Sequence, residues 1–145
     1  MGRYLGLDIG DKTIGVAVSD PLFISAQGVT TIERVGARKD STKILDYIKE
    51  YDVSVVVAGL PLMLSGEDSP QTTKVREFVA LLENKLRSNG LQNVKVEFQD
   101  ERFTTKMSEA VLIEAGVRRE NRKQHLDRMA AQIILQSYMD SHPKV

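Results

Sequence analysis

The sequence predicts an α/β fold, a mixed five-stranded sheet with helices on both faces, and three observations carry the prediction. Two apolar runs joined by Gly-Asp-Lys-Thr open the chain as a hairpin, and a β-branched segment after them adds a third antiparallel strand. Val53 to Leu60 (VSVVVAGL) is apolar almost without interruption, the pattern of a strand covered on both faces in a parallel arrangement. Helical spacings of three and four then alternate with strand patterns, giving the order β-β-β-α-β-α-β-α-α.

The hairpin occupies Arg3 to Asp20 (RYLGLDIGDKTIGVAVSD), with strands over Tyr4 to Ile9 and Ile14 to Ser19. Alternation puts Leu5, Leu7, Ile9, Ile14, Val16 and Val18 on one side, and Gly6, Asp8, Gly10, Gly15, Ala17 and Ser19 on the other. One face is bulky and the other nearly bare around Asp8. A carboxylate in a core strand with such small neighbours leaves room for a cation or a phosphate. An Asp that only caps a turn has no need of small residues on the paired strand.

Ile24 to Glu33 completes the meander, interrupted by Gly28. Asp40 or Ser41 offers an N-cap to a helix with Ile44, Leu45 and Ile48 as its buried stripe, ending near Tyr51. After the central strand, the loop Pro61 to Pro70 leaves the carboxyl end of a parallel strand, where ligand-binding loops of α/β sheets gather. Ser69 caps the next helix, whose stripe is Val75, Phe78, Val79, Leu82 and Leu86 and whose stop is Ser-Asn-Gly at 88–90. Val94, Val96 and Phe98 alternate with charged residues as a half-exposed strand that ends in Asp100-Glu101-Arg102. Thr104 or Thr105 caps a short helix through Met107, Ala110 and Val111, closed by Gly116. A final helix runs from about His125 to Ser141 with Leu126, Ala130, Ile133, Ile134 and Ser137 facing inward and Asp127 at the edge of that stripe.

At 145 residues the chain fits one domain, 1–145. Twenty basic residues balance twenty acidic ones, so any attraction to nucleic acid must come from a local patch, and GVRRENRKQ is the one basic cluster. The absence of cysteine excludes disulfides and thiolate metal sites. The opening MGRYLGLDIG lacks a secretory pattern, and no apolar run approaches the roughly 18 residues of a membrane span, so a soluble cytoplasmic protein is expected, with no membrane partner. His125 and His142 have no metal-ligand spacing, and Ser-His-Asp order and a Walker loop are missing.

Asp8, the Asp100-Glu101 pair and Asp127 each sit at or beside the edge of a buried element. Hard cations such as Mg²⁺ or Mn²⁺ are held by a few carboxylates while substrate phosphates complete the shell. Two such ions about 3.5 to 4 Å apart activate a water and stabilise the leaving oxygen in a displacement at phosphorus. The expected chemistry is metal-assisted phosphodiester hydrolysis, with the basic cluster neutralising flanking phosphates.

These motifs resemble the YqgF/RuvX family, of ribonuclease H-like fold. The matching pieces are LGLDIGDKTIGVAVSD at 5–20, VVVAGLPL at 55–62, DERFTT at 100–105 and HLDRMAAQIILQSYMD at 125–140. The resemblance implies bacterial nucleases with a metal-dependent carboxylate site, implicated in maturing the 5′ end of the small-subunit (16S) ribosomal RNA precursor and formerly described as Holliday junction resolvases. It implies Asp8, Glu101 and Asp127 as the catalytic and metal-binding acids; alternation points Asp100 and Glu101 to opposite faces, so only one of the pair can join Asp8, and Glu101, which matches the acid of the family's D-E-R motif, is preferred. Arg102, Thr104 and Thr105, with Lys12 and Thr13 from the hairpin turn, would lie along the substrate backbone, and adjacency adds Arg118, Arg119, Arg122 and Lys123. The chain departs from many relatives at Met63, where they carry Asn.

The leading expectation is therefore an endonuclease acting on structured RNA, working as a monomer or weak homodimer. A junction-resolving DNA nuclease would share the acids but need two active sites for symmetric cleavage. A non-catalytic nucleic-acid-binding module would need no metal. An actin-like phosphotransferase, which opens with a similar G-x-D-x-G strand, would need a second lobe.

Overall fold

Period-two alternation in the opening segment builds the hairpin that the rest of the sheet grows on. The computed structural model describes residues 2–63, 65–100 and 119–142, with side chains in the last stretch from Met129 onward. Strands β1 (Arg3–Ile9) and β2 (Thr13–Ser19) pair antiparallel, with Leu5 opposite Val18, Gly6 opposite Ala17, Leu7 opposite Val16 and Asp8 opposite Gly15. β3 (Ala26–Glu33) joins β2 antiparallel, and its register slips where Val16 faces Thr30 but Ala17 faces Gly28, a bulge at the glycine. β3 starts later than Ile24 because the Asp20 carboxylate accepts hydrogen bonds from the Ile24 and Ser25 amides at 2.7 and 3.0 Å, which folds those residues into a turn.

β4 (Val53–Leu60) lies parallel to β1, and β5 (Lys95–Asp100) parallel to β4, so the sheet order is β3-β2-β1-β4-β5. Helices α1 (Ala37–Glu50) and α2 (Pro70–Ser88) cover one face, burying Ile44, Ile48, Val75, Phe78 and Leu82 against Leu5, Leu7, Ile14 and Val16. Helix α3 (Arg119–Ser141) covers the other, with Ala131, Ile134, Leu135 and Tyr138 against Tyr4, Ala17 and Val57. β4 is apolar on both sides because both sides are covered.

The cap of α2 is as expected: Ser69 and Thr72 form a reciprocal capping box with Pro70 at the first turn. The cap of α1 is not. The helix begins at Ala37 behind Gly36, whose φ of 150° suits glycine, and Asp40 and Ser41 lie within it, fully buried. Asp40 instead reaches back to accept from the Val35 and Gly36 amides at 3.1 and 3.3 Å and from the Arg34 guanidinium at 3.0 Å. A tertiary partner has overridden a local capping preference.

α3 also departs from expectation. It begins at Arg119, because the charged run from Arg119 to Gln124 is made largely of good helix formers without Gly or Pro. Its buried stripe is Ala130, Ala131, Ile134, Leu135, Tyr138 and Met139, while Ile133 and Ser137 are only half-buried, so the helix is rotated from the expected phase. The short helix expected over 104–116 lies outside the described residues.

Candidate active site at the carboxyl end of the first strand

Alternation puts Asp8 on the α3 side of the sheet, in line with Gly6 and Tyr4. It is half-buried one residue from the end of β1, and its antiparallel partner is Gly15. On the parallel side, Val57 lies opposite Gly6, and the next residue of β4 on that face is the buried Gly59. Asp8 thus has glycine as its neighbour on β2 and glycine at the matching level of β4. Gly59 escaped the sequence reading, although it stands in the VVVAGLPL motif.

The β1–β2 turn beside Asp8 is tied down from three directions. Gly10 N donates to Thr13 O at 2.9 Å across the turn. Arg34, just after β3, donates from its amide to Lys12 O at 2.9 Å and from Nη1 to Gly10 O at 2.8 Å. From α2, Gln71 Nε2 donates to Ile9 O at 3.1 Å and Lys74 Nζ pairs with Asp11 at 3.1 Å across exposed surface. Lys12 is exposed in this turn and Thr13 is half-buried at the start of β2, so both stand at the same end of the sheet as Asp8.

Burial alone pushes the Asp40 carboxyl up, but the Val35 amide, the Arg34 guanidinium and the Gly36 amide outweigh it and hold the group below the ordinary carboxylate range. The buried acid is therefore a charged anchor for Arg34.

Asp100 ends β5 opposite Leu60, whose side chain belongs to the α1–α2 core. Asp100 therefore falls on the sheet face opposite Asp8, and the two are not brought together. Glu101, Arg102, Thr104, Thr105 and Arg118 lie outside the described residues. Arg119, Arg122 and Lys123 belong to the first turns of α3 rather than to a loop, and Asp127 follows one turn later in the same helix. Among the described residues no three His, Asp or Glu side chains form a metal-sized cluster.

α3 runs antiparallel to β1 along the Asp8 face. Tyr4 meets Tyr138 edge-on with ring centroids 5.8 Å apart. Two residues further along β1, Gly6 sits beneath Ala131 and Leu135, where a β-carbon would come within 2.7 Å of Leu135 Cβ and 2.9 Å of Ala131 O. Glycine here is what lets the helix settle onto the sheet.

This architecture is that of the ribonuclease H-like resolvases and nucleases. RuvC of T. thermophilus, solved in complex with a Holliday junction substrate, superposes with a TM-score of 0.59 over 99% of this chain and 97% of its own at 11% identity, a likeness of fold. The family described as RuvX: Holliday junction resolvase matches residues 2–141, and the chain belongs to that family. Among its relatives, a Clostridioides difficile protein named "Putative pre-16S rRNA nuclease" is 48% identical over 96% of this chain and 94% of its own length. A Clostridium novyi protein of the same name is 43% identical over 96% of this chain and 98% of its own.

Proposed function

We propose that the chain is a metal-dependent endonuclease that hydrolyses phosphodiester bonds in structured RNA, with the 5′ end of the 16S ribosomal RNA precursor as its substrate. The observation that carries this reading is Asp8: a half-buried carboxylate on the central hairpin, between Gly15 and Gly59, in a chain 48% identical to a relative of that name.

The residues fit a hard cation. An oxygen-only donor set beside glycine positions suits Mg²⁺ or Mn²⁺ with retained waters. Asp8, Glu101 and Asp127 would hold the ion. Glu101 is favoured over Asp100 because Asp100 occupies the sheet face opposite Asp8. Asp127 is favoured by the antiparallel run of α3: two strand residues advance about 6.6 Å and four helix residues about 6 Å, so the turn before Ala131 comes level with Asp8. When bound, the cation supplies Lewis-acid activation of the scissile phosphate and of the attacking water. Lys12 and Thr13, with Arg102, Thr104, Thr105, Arg118, Arg119, Arg122 and Lys123, bind the flanking backbone and set its register. No helix among the described residues is long and apolar enough to cross a membrane, and work on a ribosomal RNA precursor belongs to the cytoplasm. One copy of the chain suffices for each cut, so a monomer or weak homodimer serves this role.

The second reading, resolution of branched DNA, is favoured by the family description and by the RuvC fold. One experiment separates the two: cleavage of a labelled 16S precursor fragment and of a four-way DNA junction with Mg²⁺ or Mn²⁺, comparing the native chain with Asp8→Asn. Metal-dependent cutting of the RNA that disappears in the variant is expected. Cutting of the junction alone would move the assignment to a resolvase, and no cutting of either would overturn the nuclease reading.

A further inference from the structure

Arg34 and Asp40 form a device that ordinary fold stability does not call for. A buried ion pair is a poor stabiliser, because desolvating both charges offsets most of their attraction. Asp40 is nevertheless fully buried, and its oxygens are engaged by the Arg34 guanidinium and two backbone amides. The guanidinium is fixed on a third side by the Phe78 ring, 5.2 Å from its centroid. Held in this way, Arg34 turns Nη1 onto Gly10 O at 2.8 Å, two residues beyond Asp8, while its own amide holds Lys12 O at 2.9 Å. One residue thus grips both ends of the turn through which the Asp8 strand reverses.

We infer that Arg34, anchored by Asp40, is a positioning residue for the candidate active site: it fixes the β1–β2 turn and with it the aim of the Asp8 carboxylate and the exposed Lys12. The inference rests on the nuclease reading for its catalytic consequence, but not for its effect on metal affinity. A planar guanidinium serves Asp40 and the Gly10 carbonyl at once, whereas a lysine ammonium on its flexible stem keeps the charge pair and loses the fork.

The test uses the full chain and compares Arg34→Lys, Arg34→Met and Asp40→Asn with Ile48→Val, a core variant of α1 remote from the turn. Melting temperature, Mn²⁺ affinity by electron paramagnetic resonance, and separate kcat and KM are read for each. Arg34→Lys should melt close to the native chain yet lose about tenfold to a hundredfold in kcat and in Mn²⁺ affinity, the scale of a lost supporting contact, with KM little changed. Ile48→Val should lower the melting temperature and leave kcat and Mn²⁺ affinity alone. If kcat and Mn²⁺ affinity instead follow melting temperature across all four variants, the pair is merely structural and the inference falls. A native chain that binds Mn²⁺ but cuts nothing would sink the nuclease reading alone, with the clamp then judged on Mn²⁺ affinity. A native chain that neither binds nor cuts would overturn both.

Discussion

Gly6 and Leu135 approach so closely that a single β-carbon on the glycine would come within 2.7 Å of Leu135 Cβ. The second nearest atom is the Ala131 carbonyl oxygen at 2.9 Å, which is backbone and cannot swing away. Gly6→Ala should therefore push α3 off the sheet and cost about 1–3 kcal/mol, the usual range for an overfilled core, read as a shift in the urea midpoint. Because α3 also carries Asp127, one of the three acids proposed to hold the metal, cleavage should fall further than stability does. A variant as stable as the native chain would show that the helix rides more loosely than the structure has it.

Gly15 is the direct cross-strand neighbour of Asp8, and paired positions in antiparallel strands bring their β-carbons to about 4.5–5.5 Å. Gly15→Val places a branched side chain there, on a residue type that strands accept well. Mn²⁺ affinity should drop by about tenfold or more, on the scale of a disturbed metal site, while the far-ultraviolet circular dichroism stays native. Unchanged Mn²⁺ binding would count directly against Asp8 as a ligand.

The Asp40 carboxyl is held below its ordinary value in the folded chain, and the unfolded chain returns it to about 3.9. A lowered folded value contributes stability that is present above the unfolded value and lost as pH falls through the folded one. Native stability should consequently decline below about pH 4, and Asp40→Asn should flatten that part of the curve. At neutral pH the same variant should cost about 1–3 kcal/mol, since Arg34 loses the charge it faces. Denaturant unfolding across the acid range measures both effects.

Tyr138 is buried on α3, and its hydroxyl donates to the Glu97 carboxylate on β5. Burial first, and then that carboxylate, push the Tyr138 ionisation well above the ordinary tyrosine value. A raised folded value means stability that is whole below about pH 10 and lost as pH climbs toward the folded value. An ultraviolet titration of the native chain should show a tyrosine ionisation displaced to high pH that is missing from Tyr138→Phe. The substitution should also cost about 1 kcal/mol at neutral pH through the lost hydrogen bond.

Much of this was open to reading from the chain alone. The two faces of the hairpin follow from alternation, the coverage of Val53 to Leu60 from its unbroken apolar run, and the start of α2 from Ser69 and Pro70. Each is a short-range pattern. The start of α1 was misread because Asp40 looks like an N-cap by its neighbours and is claimed instead by Arg34, six residues earlier, in a geometry that no local rule encodes. The start of α3 was misread because a run of Arg, Glu and Lys suits a solvated loop and a helix alike.

The sequence by itself determined the order and kind of the elements among the described residues, the bare face around Asp8, and the absence of thiolate ligands. All of these rest on residue type and on spacings of two to four positions. Only the tertiary structure decided the phase of α3, the face on which Asp100 falls, the second glycine at the level of Asp8, and the grip of Arg34 on the turn. Each depends on which residues distant in the chain come into contact, as Gly6 does with Leu135, and packing energy rather than local preference selects among the phases and registers that the sequence pattern leaves open.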